Sequence, residues 1–179
     1  ATAFDEEGFF KTGDAVKPLD PDDFAQGLLF DGRISENFKL SSGSWVQAVA
    51  LRGRLLAALA PLVKDAVITG NNRNEVGAIA FPDAAVVRDI VGEALGDAEL
   101  FAHPALRAWV QTRLSALAGD ARGATERVAR RALEAEAPSF DNGELTDKGA
   151  AASRIVLTRR ADTVEALHAA SPPARIIVA

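Results

Sequence analysis

Cysteine is absent from the 179 residues, which removes disulfides, thiolate metal sites and a thiol nucleophile from consideration. Histidine is scarce: His103 and His168 are the two present, too few for a histidine-rich metal site. No apolar run approaches the ~20 residues of a membrane-spanning helix, and no signal peptide opens the chain. Charge of one sign is in short supply as well. A formal net charge of −5 lacks the basic surplus of a dedicated nucleic-acid binder. What is left at 48% hydrophobic content is one ordinary domain, or a small domain with an appendage, large enough to bury a core without staples. Composition by itself implies a soluble, cytoplasmic domain with neither nucleic-acid nor membrane partners.

The texture changes along the chain. The first 30 residues carry Phe4, Phe9, Phe10, Phe24 and Phe30 among turn-forming residues such as Asp20-Pro21-Asp22-Asp23, with no helical period. This segment reads as short extended pieces ending in a strand near 27–30, too poor in apolar surface to fold unaided. From Asp31 onward the pattern is α+β. A second strand is expected over 37–40. Ser44 with Gln47 three residues on makes a capping-box pattern for a helix carrying Val49, Leu55, Leu56 and Leu59 and closed by Pro61. The apolar runs 66–69 and 76–81 flank Gly70-Asn71-Asn72-Arg73-Asn74 and predict an antiparallel hairpin. Asp83 is placed to cap a helix with Val86, Val87, Ile90, Val91 and Leu95. Pro104 suits the first turn of another, with Leu106, Trp109, Val110, Leu114 and Leu117 at helical spacing. A polar helix over 125–136, a loop over 140–149, a last helix within 150–169 and a tail from Pro172-Pro173 complete the reading. The expected fold is α+β: a small antiparallel sheet with hairpins, packed by several helices.

Three stretches carry residue types suited to chemistry. In Gly8-Phe9-Phe10-Lys11-Thr12-Gly13-Asp14 a turn presents a carboxylate beside flexible backbone, an arrangement that suits a ribose diol, although a plain surface turn has the same composition. The run from Phe30 to Gly43 sets Arg33 and Lys39 about a short polar step and ends in a Ser41-Ser42-Gly43 loop ahead of a helix start. A glycine there permits close approach of a ligand, and a basic-edged hairpin would look the same. In Asp141-Asn142-Gly143-Glu144-Leu145-Thr146-Asp147-Lys148-Gly149 one lysine sits on a loop expected to move, hemmed by acidic residues. A solvated loop lysine is the ordinary alternative.

In this order and at these separations the three stretches resemble the AMP-forming adenylating superfamily. Its large domain ends near a Thr-Gly-Asp motif, here Thr12-Gly13-Asp14. A Gly-Arg hinge leads on to a lysine and a glycine-bearing loop, here Gly32-Arg33 through Gly43. A lysine loop follows near the C-terminus, here Lys148. Leu28-Leu29-Phe30-Asp31-Gly32-Arg33 and Lys39-Leu40-Ser41-Ser42-Gly43-Ser44-Trp45-Val46 are most similar to feruloyl-CoA synthetases. The resemblance implies a C-terminal fragment of an acid–CoA ligase: residues 1–32 the end strip of the large domain, 33–36 the hinge and 37–179 the C-terminal lid. It implies ATP with Mg2+ and coenzyme A as substrates of the parent, an aromatic or other carboxylic acid as the third, and no bound cofactor in this piece. Lys148 would be catalytic, Asp14 and Arg33 would hold the nucleotide, Ser35 would be the hinge residue, and Ser42 and Gly43 would face the coenzyme A channel.

The chain departs from the family pattern in places. Ser35 stands where Asp or Lys is usual, Asp147 where many relatives have Gly, and Ala150-Ala151-Ala152 follows the lysine where larger side chains are common. Nothing resembles the Gly-rich phosphate loop or an acid pocket, so the isolated chain is expected to be inactive. Trp45 and Trp109 read as core or interface packing residues, His103 and His168 as structural or exposed. Arg127, Arg130 and Arg131 read as a solvated helix face, with Arg159 and Arg160 taken alike. Two rivals remain: a non-catalytic α+β interaction module, and an adenylating enzyme that loads a carrier protein instead of coenzyme A.

Overall fold

The structure is a computed structural model that describes residues 3–92, 95–119 and 121–178. Its N-terminal part is a two-stranded antiparallel ribbon, β1 (Asp14–Pro18) with β2 (Leu28–Arg33), in a register that sets Asp14 opposite Arg33 and Pro18 opposite Leu28. The turn between them is built from aspartates. Asp20 accepts the Asp22 N–H at 2.9 Å and Asp23 the Ala25 N–H at 3.0 Å, which is why this acidic run bends the chain. The ribbon's aromatic residues stay largely uncovered, with Phe9, Phe10, Phe24 and Phe30 each at least 60% exposed.

A single 3-10 turn, Ile34–Glu36, leads from the ribbon into a short hairpin of β3 (Phe38–Lys39) and β4 (Trp45–Val46). Helix α1 (Ala48–Leu59) follows, burying Ala48, Leu51, Leu55 and Leu59. The capping box expected from Ser44 and Gln47 does not form. Asn37 reaches across and accepts the Ala48 N–H at 3.2 Å, while Ser44 takes a hydrogen bond from Ser42. Strands β5 (Val63–Thr69) and β6 (Val76–Pro82) form the expected antiparallel hairpin. Asp83 caps α2 (Ala84–Val91) through the Ala85 N–H at 2.9 Å. That helix stops at Gly92, whose left-handed φ of +73° is a usual C-terminal signal, so Leu95 lies beyond it and 93–94 fall outside the described residues. Helices α3 (Asp97–Ala102) and α4 (Pro104–Gly119) come next.

The segment 125–136, read as a polar helix, is strand β7 (Val128–Leu133). Alanine, arginine, leucine and glutamate favour helix locally, but tertiary pairing decides the matter. Strand β7 runs parallel to β6, reached by a crossover through α2, α3 and α4, and both of its faces are covered. The last helix is two, α5 (Ser153–Arg159) and α6 (Ala161–His168), broken at Arg160. The stretch after Pro172-Pro173 is no loose tail either. Strand β8 (Ile176–Val178) pairs antiparallel with β7, and Arg107 of α4 donates to the carbonyls of Ala174 and Ile176 at 2.6 and 3.2 Å.

The sheet order is therefore β5-β6-β7-β8, a mixed sheet between two helical layers. One face packs Val76, Ala78 and Ala80 under α1, α2 and α4 residues such as Leu55, Val87 and Val110. The other packs Val67, Ile79 and Phe81 against Val156 of α5 and Leu167 of α6. Coverage on both sides explains why the two hairpin strands read as near-continuous apolar runs. The α+β architecture is as expected. No described helix is long and apolar enough to cross a membrane.

Candidate functional site

The ribbon places two of the expected residues side by side. Asp14 and Arg33 are cross-strand partners, with the Asp14 carboxylate 3.6 Å from the Arg33 Nε. Thr12 Oγ1 accepts the Asp14 N–H at 3.1 Å, and Ile34 N–H donates to the Gly13 carbonyl at 2.9 Å, so the turn before β1 is tied to the Ile34–Glu36 turn. Asp14 Oδ1 is shielded from solvent and has no hydrogen-bond partner. Lys11, Thr12, Gly13, Asp14, Ile34 and Ser35 line one open groove of about 580 Å³. Gly32, just before Arg33, has φ +98°, and a Cβ there would sit 3.0 Å from the Val49 Cβ, so glycine lets the ribbon lie against α1.

Ser42 and Gly43 sit in the β3–β4 turn, where Gly43 takes φ +84° and donates to the Leu40 carbonyl at 2.9 Å. This turn rests on the β5–β6 connection. Ser41 N–H reaches the Arg73 carbonyl and Asn72 N–H the Lys39 carbonyl, both at 2.9 Å, and Ser41 Oγ meets Asn74 Oδ1 at 2.7 Å. Trp45 is not part of the core: it is 61% exposed, with the Lys39 ammonium 4.9 Å from its ring centre. Trp109 does pack, half-buried against the α1 side of the sheet with Arg113 stacked on it at 4.1 Å.

Lys148 is exposed at the tip of a tight turn in which Thr146 N–H donates to the Ala150 carbonyl and Gly149 N–H to the Thr146 carbonyl, at 2.8 and 2.7 Å. Its stems are anything but loose. Glu144 is 2% exposed, and Arg160 grips it with two bonds, Nε to Oε1 at 2.8 Å and Nη2 to Oε2 at 3.0 Å. That bidentate contact holds the Glu144 carboxyl below the usual carboxylate range and raises Arg160 above its own, each in spite of burial. On the far stem, the Ala151 N–H donates to Asp65 Oδ2 at 2.8 Å, and Asp65 Oδ1 is held by Arg52 Nε at 2.9 Å. No hydrogen bond or ion pair among the described residues links Lys148 to Asp14, Arg33 or Ser42.

Arg159 is exposed on α5 as expected, but Arg127, exposed just before β7, and Arg130 and Arg131 within it form no helix face. Arg130 pairs with Glu75 at 2.8 Å and donates to the Leu167 and Ala169 carbonyls at the end of α6. Arg131 is 2% exposed, its Nε and Nη1 have no partner, and burial together with the neighbouring Arg127 charge lowers its pKa to about 10. Arg160, likewise expected to be solvated, is the buried grip on Glu144. Sequence reasoning missed Asp65 altogether. Neither Asp65 nor Arg160 lies at any periodic spacing from Lys148, so the one available signal was Glu144, a carboxylate inside the motif itself. No group of three or more His, Asp or Glu among the described residues is placed to hold a metal ion.

A mixed sheet sandwiched by helices, entered through a ribbon and a 3-10 turn and carrying a lysine turn, defines an α+β domain. Residues 36–171 match the model of the AMP-binding enzyme C-terminal domain, and the chain belongs to that family. Among solved structures it is similar to the A domain of a carboxylic acid reductase from Segniliparus rugosus in complex with AMP and a co-purified carboxylic acid. The identity is 24% and the TM-score 0.70, over 92% of this chain and 24% of that one. The A-PCP didomain of a carboxylic acid reductase from the same organism gives 25% and 0.67, over 93% and 21%. An anthranilate CoA ligase in complex with anthranoyl-AMP gives 19% and 0.54, over 88% and 25%. The chain thus spans about a quarter of the length of these relatives. No curated protein sequence matches it.

Proposed function

We propose that this chain is the C-terminal part of an AMP-forming acid–CoA ligase, with residues 1–32 closing the large domain, 33–36 forming the hinge and 37–179 the lid. In the first half-reaction a carboxylate oxygen attacks the α-phosphorus of Mg2+-bound ATP and pyrophosphate leaves. In the second, the coenzyme A thiol attacks the acyl carbon and AMP leaves. The observation that carries this reading is the Asp14–Arg33 pair at the hinge groove. A carboxylate lining an open groove suits donating ribose hydroxyls, and the adjacent guanidinium suits the same sugar or its phosphate. Lys148, exposed on its turn, offsets the charge that builds on the phosphoryl oxygens as pyrophosphate departs. Ser35 turns the lid between the half-reactions, and the bare backbone at Ser42 and Gly43 lines the pantetheine path. A feruloyl-like aromatic acid as substrate rests on the wording of the hinge segment.

A second reading is transfer to a carrier-protein thiol, which draws on the likeness to the A-PCP didomain. The deciding experiment takes the full-length parent with a panel of aromatic acids. Acid-dependent ATP–pyrophosphate exchange followed by a coenzyme A thioester supports the ligase. A thioester on a phosphopantetheinyl carrier alone favours the second reading, and no exchange with any acid leaves an interaction module. The 179-residue chain by itself is expected to show no exchange, because it has no phosphate loop or acid pocket to position the reactants.

A further inference from the structure

The turn that carries Lys148 is fixed at both stems by charged side chains, buried at one stem and half-buried at the other, and the lysine itself takes no part in the fixing. On the first stem, Glu144 gives its backbone carbonyl to the Ala152 N–H at 2.8 Å and takes its N–H to Ser139. Its carboxylate is wholly occupied by Arg160 and the Ser139 N–H. Arg160 is tied onward to the sheet: its Nη1 meets Glu134 Oε2 at 3.2 Å, and Glu134 follows β7 with its own N–H on the Ala80 carbonyl. On the second stem, Asp65 of β5 holds the Ala151 N–H and is locked in turn by Arg52 of α1. Leu145 and Ala151 bridge between the stems. Two anchors therefore join one short turn to strands β5 and β7, on either side of the end of β6.

We propose that Glu144, Arg160 and Asp65 are positioning residues for Lys148: they fix the backbone of its turn to strands β5 and β7 and so set where the lysine stands. This rests on the reading above that Lys148 serves adenylation. A bidentate carboxylate–guanidinium pair fixes orientation as well as distance. Misplacement of a reacting group by about 1 Å can cost on the order of 100-fold in rate.

The test uses the full-length parent, with acid-dependent ATP–pyrophosphate exchange for the first half-reaction and thioester formation from supplied acyl-adenylate for the second. Glu144→Gln keeps the shape and removes the charge, and is expected to slow adenylation roughly 10- to 100-fold. Thioester formation should stay within about two-fold. Added to Lys148→Ala it should cost nothing more, since a residue that acts only through the lysine has nothing left to position. Asp65→Ala, at the other stem, should behave alike and decides the matter if Glu144→Gln fails to fold. Loss of both half-reactions together, or a full additional loss on top of Lys148→Ala, would mean a structural role and overturn the proposal. So would parental adenylation in both anchor variants while Lys148→Ala is slow, a result that leaves the proposed function standing. If Lys148→Ala itself adenylates at the parental rate, the function assigned to the lysine fails, and the anchors with it.

Discussion

The side-chain oxygen of Asn37 accepts the Ala48 N–H at 3.2 Å, so helix α1 is capped from the residue that follows the Ile34–Glu36 turn. Helix α1 and the turn before β3 are thereby tied together. Asn37→Ala should cost about 1 kcal/mol of unfolding free energy, the usual scale for a lost N-terminal cap. Ser44→Ala, at the position the sequence pattern favoured, should stay within about 0.5 kcal/mol. Urea denaturation midpoints of the two variants check this, and the reverse ranking would reject the cap.

Lys148→Ala in the full-length parent should slow adenylate formation by roughly 10²–10³, the effect of removing one preorganised charge donor. Thioester formation from supplied adenylate should change far less. Single-turnover measurements of both steps on the same protein make the comparison.

Ser35 sits in the middle of the Ile34–Glu36 turn, on the groove below Asp14. Proline at 35 fixes φ there and disfavours the helical geometry of Ile34. Adenylation by the Ser35→Pro parent should survive in part while thioester formation falls. An equal fall in both half-reactions would take Ser35 out of the hinge role.

His168 packs on Gly77 with its Nε2 buried and unbonded. Burial lowers its pKa below 6.5, and the charges of Arg73 and Arg130 act in the same sense, against opposing pulls from Glu165 and Glu75. The unfolded chain therefore binds a proton that the folded one resists. Stability from this site is whole above about pH 6.5 and is lost as pH falls from there through the folded pKa. The denaturation midpoint should drop between pH 7.5 and 5.5 by less in His168→Gln than in the parent sequence.

Arg131 places a guanidinium in the interior with two N–H-bearing nitrogens unpaired. Replacing it by an apolar side chain of similar length removes that desolvation cost. Arg131→Met should gain about 1–3 kcal/mol, seen as a higher unfolding temperature. A clear loss of stability would mean that the guanidinium has an acceptor after all.

Much of this molecule is legible where local chemistry and tertiary packing agree. The 66–69 and 76–81 runs, the Asp83 cap and the α4 spacing all follow from turn residues, cap residues and period. Strand β7 is illegible for the opposite reason. Val128–Leu133 is written in helix-forming residues, and its arginines mimic a solvated face, yet Arg130 spends its charge on α6 carbonyls and Arg131 is buried. The same holds at the candidate site. Asp14, Arg33 and Lys148 stand out as residue types, whereas the residues that hold the lysine turn come from β5, α1 and the α5–α6 junction. Asp65, Arg52 and Arg160 carry no mark in the sequence, because what joins them is the sheet.

The parallel pairing of β6 with β7 has a kinetic side. The β5–β6 hairpin closes over a few residues, but Ala78 must find Arg131 across a chain segment of about fifty residues, and the entropy of closing that loop is spent before any contact repays it. Hairpin and helices thus have the head start, and β7 docks late. The two anchors of the Lys148 turn do not mature together. Asp65 lies on the early hairpin, whereas Arg160 is braced by Glu134 at the end of β7. The lysine turn is among the last parts of the molecule to take shape, and in pulse-labelling hydrogen exchange during refolding the amides of Glu144 and Ala152 should gain protection after those of β5 and β6.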